Sequence, residues 1–302
     1  MTPELDERLA AALDGADVDA LIDVGCDLAD LDRQDEALAC FERAVALGEE
    51  SMWFNVGNTL RELDRPLEAV DAYQRAVAAG QTDAWLNLGA VLERLGDLAG
   101  AMGAYRAAWD SGAQPDGYVN LAHLLREQGL AEDAEARLAE AAERDHPPAA
   151  ALLACWQWER TADPALEERL RAGAAVDGDA RVCLAELLVA TGRRGEARAQ
   201  LELGAKLGQS QCWLPLGNVL CGDDLADELD VSDAGVVDEA AAEEAYRAGI
   251  AAGDLYCHHN LAVLLLARGD TAGADAHLLA GAAGGDGLAE RAWQELHRGG
   301  ER

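Results

Sequence analysis

Trp85-Leu86-Asn87-Leu88-Gly89 is the stretch from which the fold can be read. With Gly89 as an anchor, equivalent small residues recur at Gly25, Gly57, Ala122, Ala154, Ala185, Gly217 and Ala262. The successive spacings are 32, 32, 33, 32, 31, 32 and 45 residues, and removing 13 residues from the last restores the period. Twelve residues past each anchor stands a second small residue, such as Ala69 or Ala101, and nineteen past it a third. Sixteen past it comes an aromatic residue or Leu: Phe41, Tyr73, Tyr105, Leu138. Of 24 positions in the three small-residue columns, 23 are Ala or Gly, where composition alone predicts about seven; Leu166 is the exception. A fixed period of this length marks a repeat architecture.

Each of the eight units reads as two helices. The first runs apolar at helical spacing through the anchor, as in Trp53, Val56, Gly57 and Leu60. Seven residues past the anchor stands a breaker, at Asp32, Asp64, Gly96, Gly129, Gly192 and Gly269. Glycine there takes the left-handed conformation that ends the first helix, and aspartate is expected to cap the second. Pro66 and Pro164 suit a first helical turn. The small residues are expected where paired helices cross, and the aromatic or Leu between neighbouring repeats. No strand-like alternation remains, so the expected fold is all-α, one continuous solenoid over 1–302.

Its eight repeats span 18–285, between an N-terminal cap at 1–17 and a C-terminal capping helix at 286–302. Thr2 should cap the first helix, with Leu5, Leu9 and Leu13 on one face. At the other end Leu288, Ala292, Trp293 and Leu296 should cover the last repeat while Glu290, Arg291 and Glu295 face water. The 13 extra residues are placed at 222–234, an insertion rich in Asp223, Asp224, Asp227, Glu228, Asp230 and Asp233. It lacks the spacing of a calcium loop and reads as a solvated loop or an edge for a basic partner.

The pattern Trp-x-x-Leu-Gly followed by Ala, Tyr and Ala at these intervals resembles the tetratricopeptide repeat. The 32-residue period, endings such as Ala78-Ala79-Gly80 and the run Ala234-Gly235-Val236-Val237-Asp238 look more like the related Sel-one-like repeat. The resemblance covers roughly 18 to 285. It implies a right-handed superhelix whose first helices line a concave groove that binds peptides or partner proteins. Repeat five departs most, with Gln157 where its neighbours have Leu.

Composition narrows the chemistry. Of 302 residues, 57 are acidic and 24 basic, a formal charge of −33. That surface repels phosphate backbones and anionic membranes, so neither is expected as a partner. No apolar run approaches the roughly 20 residues of a membrane span, and the acidic start lacks the features of a secretory signal. The expected location is cytoplasmic. Lys206 is the only lysine, a bias expected of a GC-rich bacterial genome. Seven cysteines without a C-x-x-C pair argue against both a disulfide framework and a zinc ribbon.

No phosphate loop, nucleophile elbow or H-E-x-x-H motif is present. The expectation is therefore no enzyme, no cofactor and no metal, with a small-molecule substrate disfavoured. Cys257-His258-His259 stands on a helix whose adjacent residues diverge by about 100°, so the run does not make one metal site. His258 occupies the column of Trp53 and Trp85, which points to packing. Cys212 and Cys257 share a column, but helices roughly 8–10 Å apart argue against a disulfide between them. The rival reading is a metal- or thiol-dependent site from His123, Cys155, Cys183 and Glu186, all on the inward face of first helices.

The asparagines carry the clearest functional signal. Asn55, Asn87, Asn120 and Asn260 stand two residues before an anchor, Asn58 and Asn218 one after, and there are no others. The two columns are three residues apart and share one helix face. In the families this sequence resembles, that face lines the groove and its amides hold a peptide backbone. The expected groove set is Asn55, Asn58, Arg61, Asn87, Arg94, Asn120, His123, Arg126, Asn218 and Asn260. Arg61, Arg94 and Arg126 stand against Glu62, Asp83, Glu93, Asp116 and Glu127, no more acidic than the chain as a whole. The charge of a ligand therefore does not follow. The reading is a non-enzymatic interaction module that takes a protein or peptide in its groove, or a scaffold using its outer face or insertion.

Overall fold

In a computed structural model the chain is described over residues 3–298, apart from 113, 115 and 223–236. Thr2 and nearly all of the acidic insertion lie outside the described residues. Those residues form α-helices, three short 3-10 turns and no strand. They fall into two compact units, Met1–Ala149 and Ala150–Arg302. The sequence reading took one continuous stack.

The first unit contains α1 (Pro3–Asp14), α2 (Val18–Asp30), α3 (Gln34–Ala46), α4 (Trp53–Glu62), α5 (Pro66–Ala78), α6 (Ala84–Arg94), α7 (Leu98–Asp110), α8 (Gly117–Glu127) and α9 (Ala131–Glu143). The boundary falls within α10 (Pro147–Thr161). The second unit continues with α11 (Glu167–Ala174), α12 (Gly178–Ala190), α13 (Arg194–Lys206), α14 (Trp213–Cys221), α15 (Glu239–Ala251), α16 (Tyr256–Ala267), α17 (Thr271–Ala283) and α18 (Gly287–Arg298). From α2 to α17 they pair as eight hairpins at the predicted places.

Inside each hairpin the anchor decides what can lie over it. A Cβ on Gly25 would sit 2.6 Å from the Phe41 ring, on Gly57 2.6 Å from Tyr73, on Gly89 2.5 Å from Tyr105 and on Gly217 2.2 Å from Tyr246. These distances are too short for any methyl group. Where the anchor is alanine, at Ala122, Ala154, Ala185 and Ala262, the residue at the aromatic's place is Leu138, Leu170, Leu201 and Leu278. Glycine goes with an aromatic and alanine with leucine in all eight hairpins, so the pair conserves volume. The aromatic thus packs on its own repeat's anchor, not primarily between repeats as the sequence reading expected. The third column does face the next repeat. A Cβ on Gly204 would meet the Cys212 sulfur at 2.4 Å, one on Gly249 the Cys257 sulfur at 2.3 Å, and one on Gly281 the Ala289 methyl at 2.8 Å.

The turn between the helices is equally regular. All six predicted breakers have positive φ, from 54° at Asp64 to 82° at Gly269. Asp32 and Asp64 therefore stand in for glycine, a conformation aspartate tolerates, and do not cap the next helix as expected. After five of the six breakers that helix starts in one of two ways, α9 behind Leu130 having neither. Arg33, Arg65 and Arg193 fork onto Glu36, Glu68 and Glu196, whereas Asp97 and Asp270 accept from the N–H of Gly100 and Gly273. Pro66 opens α5 as predicted, while Pro164 opens a 3-10 turn before the short α11.

The caps differ from expectation in one residue. Leu5, Leu9 and Ala12 of α1 are buried against the first hairpin. In α18 Ala289 is the buried residue, and Leu288 is 52% exposed. The helix begins at Gly287, and its contact with Gly281 sets that register.

Two outcomes are expected. Gly89→Ala should lower the melting temperature through overpacking that costs about 1–3 kcal/mol. Adding Tyr105→Leu should recover part of that loss, giving a favourable coupling in a double-mutant cycle. Additive losses would show that the anchor and the ring do not constrain each other.

The second concerns the insertion. The N–H at Asp238 bonds the Leu220 carbonyl at 2.9 Å, the bond that closes the turn from Asp97 to Leu92 and from Asp270 to Leu265. Thirteen extra residues thus leave the closure of repeat seven intact. Deleting residues 223–235 should preserve helical circular dichroism and raise stability by about 1 kcal/mol through a shorter loop. Loss of most helix signal would show that the segment belongs to the core.

Candidate functional site

The face that carries the asparagines is built by two helix positions three residues apart. In the first unit the Asn58 Oδ1 accepts from the Tyr73 hydroxyl at 2.8 Å and from the Asn87 Nδ2 at 3.0 Å. In the second, Asn218 Oδ1 accepts from Tyr246 at 2.9 Å and from Asn260 Nδ2 at 2.7 Å. The two triads share one register. The residue after an anchor meets the residue two before the next anchor, and the tyrosine over the glycine completes the bridge. Burial pushes the Tyr73 phenol up to about 12, so it stays protonated as the donor. Tyr105 has Ala90 at the asparagine's place and donates instead to Glu93 at 2.6 Å.

Four of the six asparagines therefore join consecutive repeats through their own amides. Asn55 and Asn120 do not, because the preceding repeats offer Cys26 and Ala90 at the partner position. Both are half-buried, with no side-chain hydrogen bond among the described residues. Asn55 and Asn58 help to line an open depression of about 250 Å³ between α2 and α4, with Cys26, Asp30, Phe41 and Glu62. The groove arginines are engaged at the surface: Arg61 with Glu62 at 2.8 Å and Arg94 with Asp64 at 3.2 Å. His123 and Arg126 lie exposed on α8. The tyrosines of the triads were absent from the sequence-derived site, although their alternation with glycine anchors was visible.

The rival metal set is divided between the two units. His123 belongs to the first unit and Cys155, Cys183 and Glu186 to the second. Among the described residues no three His, Cys, Asp or Glu side chains are arranged to hold a metal. Glu186 accepts from the Trp158 indole at 3.2 Å, and Gln157, which marks the departure of repeat five, accepts from Arg169 at 2.5 Å. Cys212 and Cys257 are buried free thiols, each against a glycine of the preceding repeat.

His258 packs, as expected of its column, but against a second histidine: its Nδ1 lies 3.0 Å from the Nδ1 of His277. The same two positions pair Tyr118 with Arg137 and Arg181 with Gln200 in other hairpins.

A profile of the tetratricopeptide repeat matches residues 23–84 and 57–117. A Sel1 repeat protein from Oxalobacter formigenes superposes with a TM-score of 0.65 at 18% identity, covering 98% of this chain and 92% of that one. Over 23–117 the chain thus matches the tetratricopeptide repeat, and in fold it is similar to a Sel1 repeat protein. A protective antigen with an SLR fold from uropathogenic Escherichia coli gives a TM-score of 0.57 at 20% identity, over 96% of this chain and 67% of that one. The Cut9–Hcn1 hetero-tetramer structure gives 0.55 at 15% identity, covering 92% of this chain but 55% of the matched chain. No curated protein matches the sequence. At these identities the likeness is one of fold, and it agrees with the all-α repeat architecture read from the period.

The histidine pair generates a pH prediction. Burial holds both imidazoles below the ordinary histidine value; the Asp286 carboxylate partly offsets this at His258, and the His258 and Arg247 charges add to it at His277. The unfolded chain then takes up protons first. Stability present above about pH 6.5 is lost as pH falls through the lowered folded values. His277→Asn should weaken the drop in melting temperature between about pH 7.5 and pH 5.5. An equal drop in variant and parent would remove the pair as its source.

Proposed function

We propose that the chain is a non-enzymatic interaction module whose first-helix face in repeats two to four takes an extended segment of a partner protein. Repeats of this type are typical of protein-interaction scaffolds. The observation that carries the reading is the pair of unengaged amides, Asn55 and Asn120, on the face where every other asparagine is tied into the fold. An amide both donates and accepts, so it meets a peptide group's C=O and N–H without demanding a particular side chain. Each such bond contributes about 0.5–1.5 kcal/mol, so affinity is shared with the surrounding contacts. The depression beside Asn55 offers room for one side chain of the bound segment. Asn87, by contrast, has an amide N–H committed to Asn58, so Asn55 and Asn120 are the two principal rungs of that column.

A photo-reactive amino acid at position 55 or 120, expressed in the source organism, should yield discrete protein adducts on irradiation. The same group at Leu67, which is exposed on α5, should not. Adducts from position 67 alone would assign binding to the outer face and reject the groove.

A further inference from the structure

The open depression of about 250 Å³ between α2 and α4 is lined by two carboxylates, Asp30 and Glu62, and by no basic residue. Its neutral polar groups lean the same way. Gln34 spends an amide N–H on the Ala29 carbonyl at 3.3 Å and keeps its side-chain oxygen as an acceptor. The Thr59 hydroxyl, in a side chain only 4% exposed, donates to the Asn55 carbonyl at 2.9 Å and keeps its lone pairs. Asn55 itself has no side-chain hydrogen bond among the described residues. The hollow is therefore rich in acceptors and short of donors. α2 adds Asp19 and Asp23 on the face of Asp30 and carries no basic residue at all. Among the described residues Asp30 has no cationic partner. Arg61, which does not line the hollow, pairs with Glu62 at 2.8 Å, an exposed contact that contributes little.

On the reading that a partner segment lies in this groove, we propose that the depression takes an arginine side chain of that segment. A guanidinium has five N–H donors and no acceptor, the complement of this lining. Asp30 stands on α2 and Glu62 on α4, so the two walls offer one carboxylate each to a planar fork that bonds carboxylates in pairs. A guanidinium is also more weakly hydrated than an ammonium, which lowers the cost of entering a hollow that Phe41 helps to line. A glutamate would meet two like charges there, and an apolar side chain would strip water from acceptors without replacing it. Repeats two to four alone left the ligand's sign open; α2, from repeat one, supplies the missing wall. The formal charge of −33 steers basic segments towards the chain.

The test uses blocked nonapeptides of glycine, alanine and serine whose central residue is arginine, citrulline or glutamate. Citrulline keeps the shape of arginine and loses its charge. Binding to the full chain is read by NMR from the side-chain amide signals of isotope-labelled protein, those of Asn55 and Asn120 being assigned by their loss in Asn55→Ala and Asn120→Ala. The arginine peptide should move the Asn55 signal and bind about tenfold more tightly than the citrulline peptide, the scale of a charge-assisted pair. Asp30→Asn should cut that preference about threefold or more, with helical circular dichroism unchanged. Asp71→Asn, the same charge change at an exposed position of α5, should leave it as it is. Equal binding of the arginine and citrulline peptides would overturn the arginine site, while a moved Asn55 signal would keep the groove reading. A preference that survives D30N/E62Q, or tighter binding of the glutamate peptide, would overturn it too. If no peptide moves Asn55 or Asn120, both the arginine site and the groove reading fall.

Discussion

The distance between an anchor Cα and the side chain above it is the constraint from which the rest follows. Gly57 and Tyr73 can pack only because no methyl group stands between them. Had the anchor been alanine, the ring would have to lift, and the second helix with it. The four leucine hairpins solve the same problem from the other side, with a smaller residue over an alanine. Two solutions with similar total volume let both kinds of hairpin close on their anchors.

The choice between the two solutions has a polar consequence. An aromatic seated on a glycine points its far end past the first helix, towards the inter-repeat seam. When that aromatic is tyrosine, the hydroxyl arrives where the residue after the anchor meets the next repeat. Tyr73 and Tyr246 find asparagines there and close a bridge; Tyr105 finds Ala90 and turns to Glu93. Leu170 brings no hydroxyl, and the corresponding places hold Cys155 and Cys183 instead of amides. Packing thus determines which polar chemistry the seam can hold.

The architecture was legible because it is a matter of period: small residues at three fixed offsets permit few arrangements other than close-packed hairpins. The left-handed turns were legible for the same reason, although aspartate's role was misread, since capping and positive φ both favour that residue. The inter-repeat bridges were not legible. Asn58 and Asn87 are 29 residues apart, and only the relative rotation of two first helices tells whether their tips meet. Leu288 failed for a smaller reason: one residue of register in a terminal helix moves a side chain by about 100°.

The asparagine distribution then has a physical explanation that also separates fold from function. A bridge between repeats needs an acceptor that takes two donors, from a tyrosine and from the next amide, and a carboxamide oxygen has the two lone pairs to do so. This accounts for Asn58, Asn87, Asn218 and Asn260 without any ligand. It does not account for Asn55 or Asn120, whose preceding repeats supply no amide to meet them. A half-buried amide without a protein partner gains nothing for the fold over a smaller apolar residue, because its hydrogen bonds to water are equally available in the unfolded chain. The two asparagines that the stack does not use are therefore the ones most reasonably assigned to something outside it.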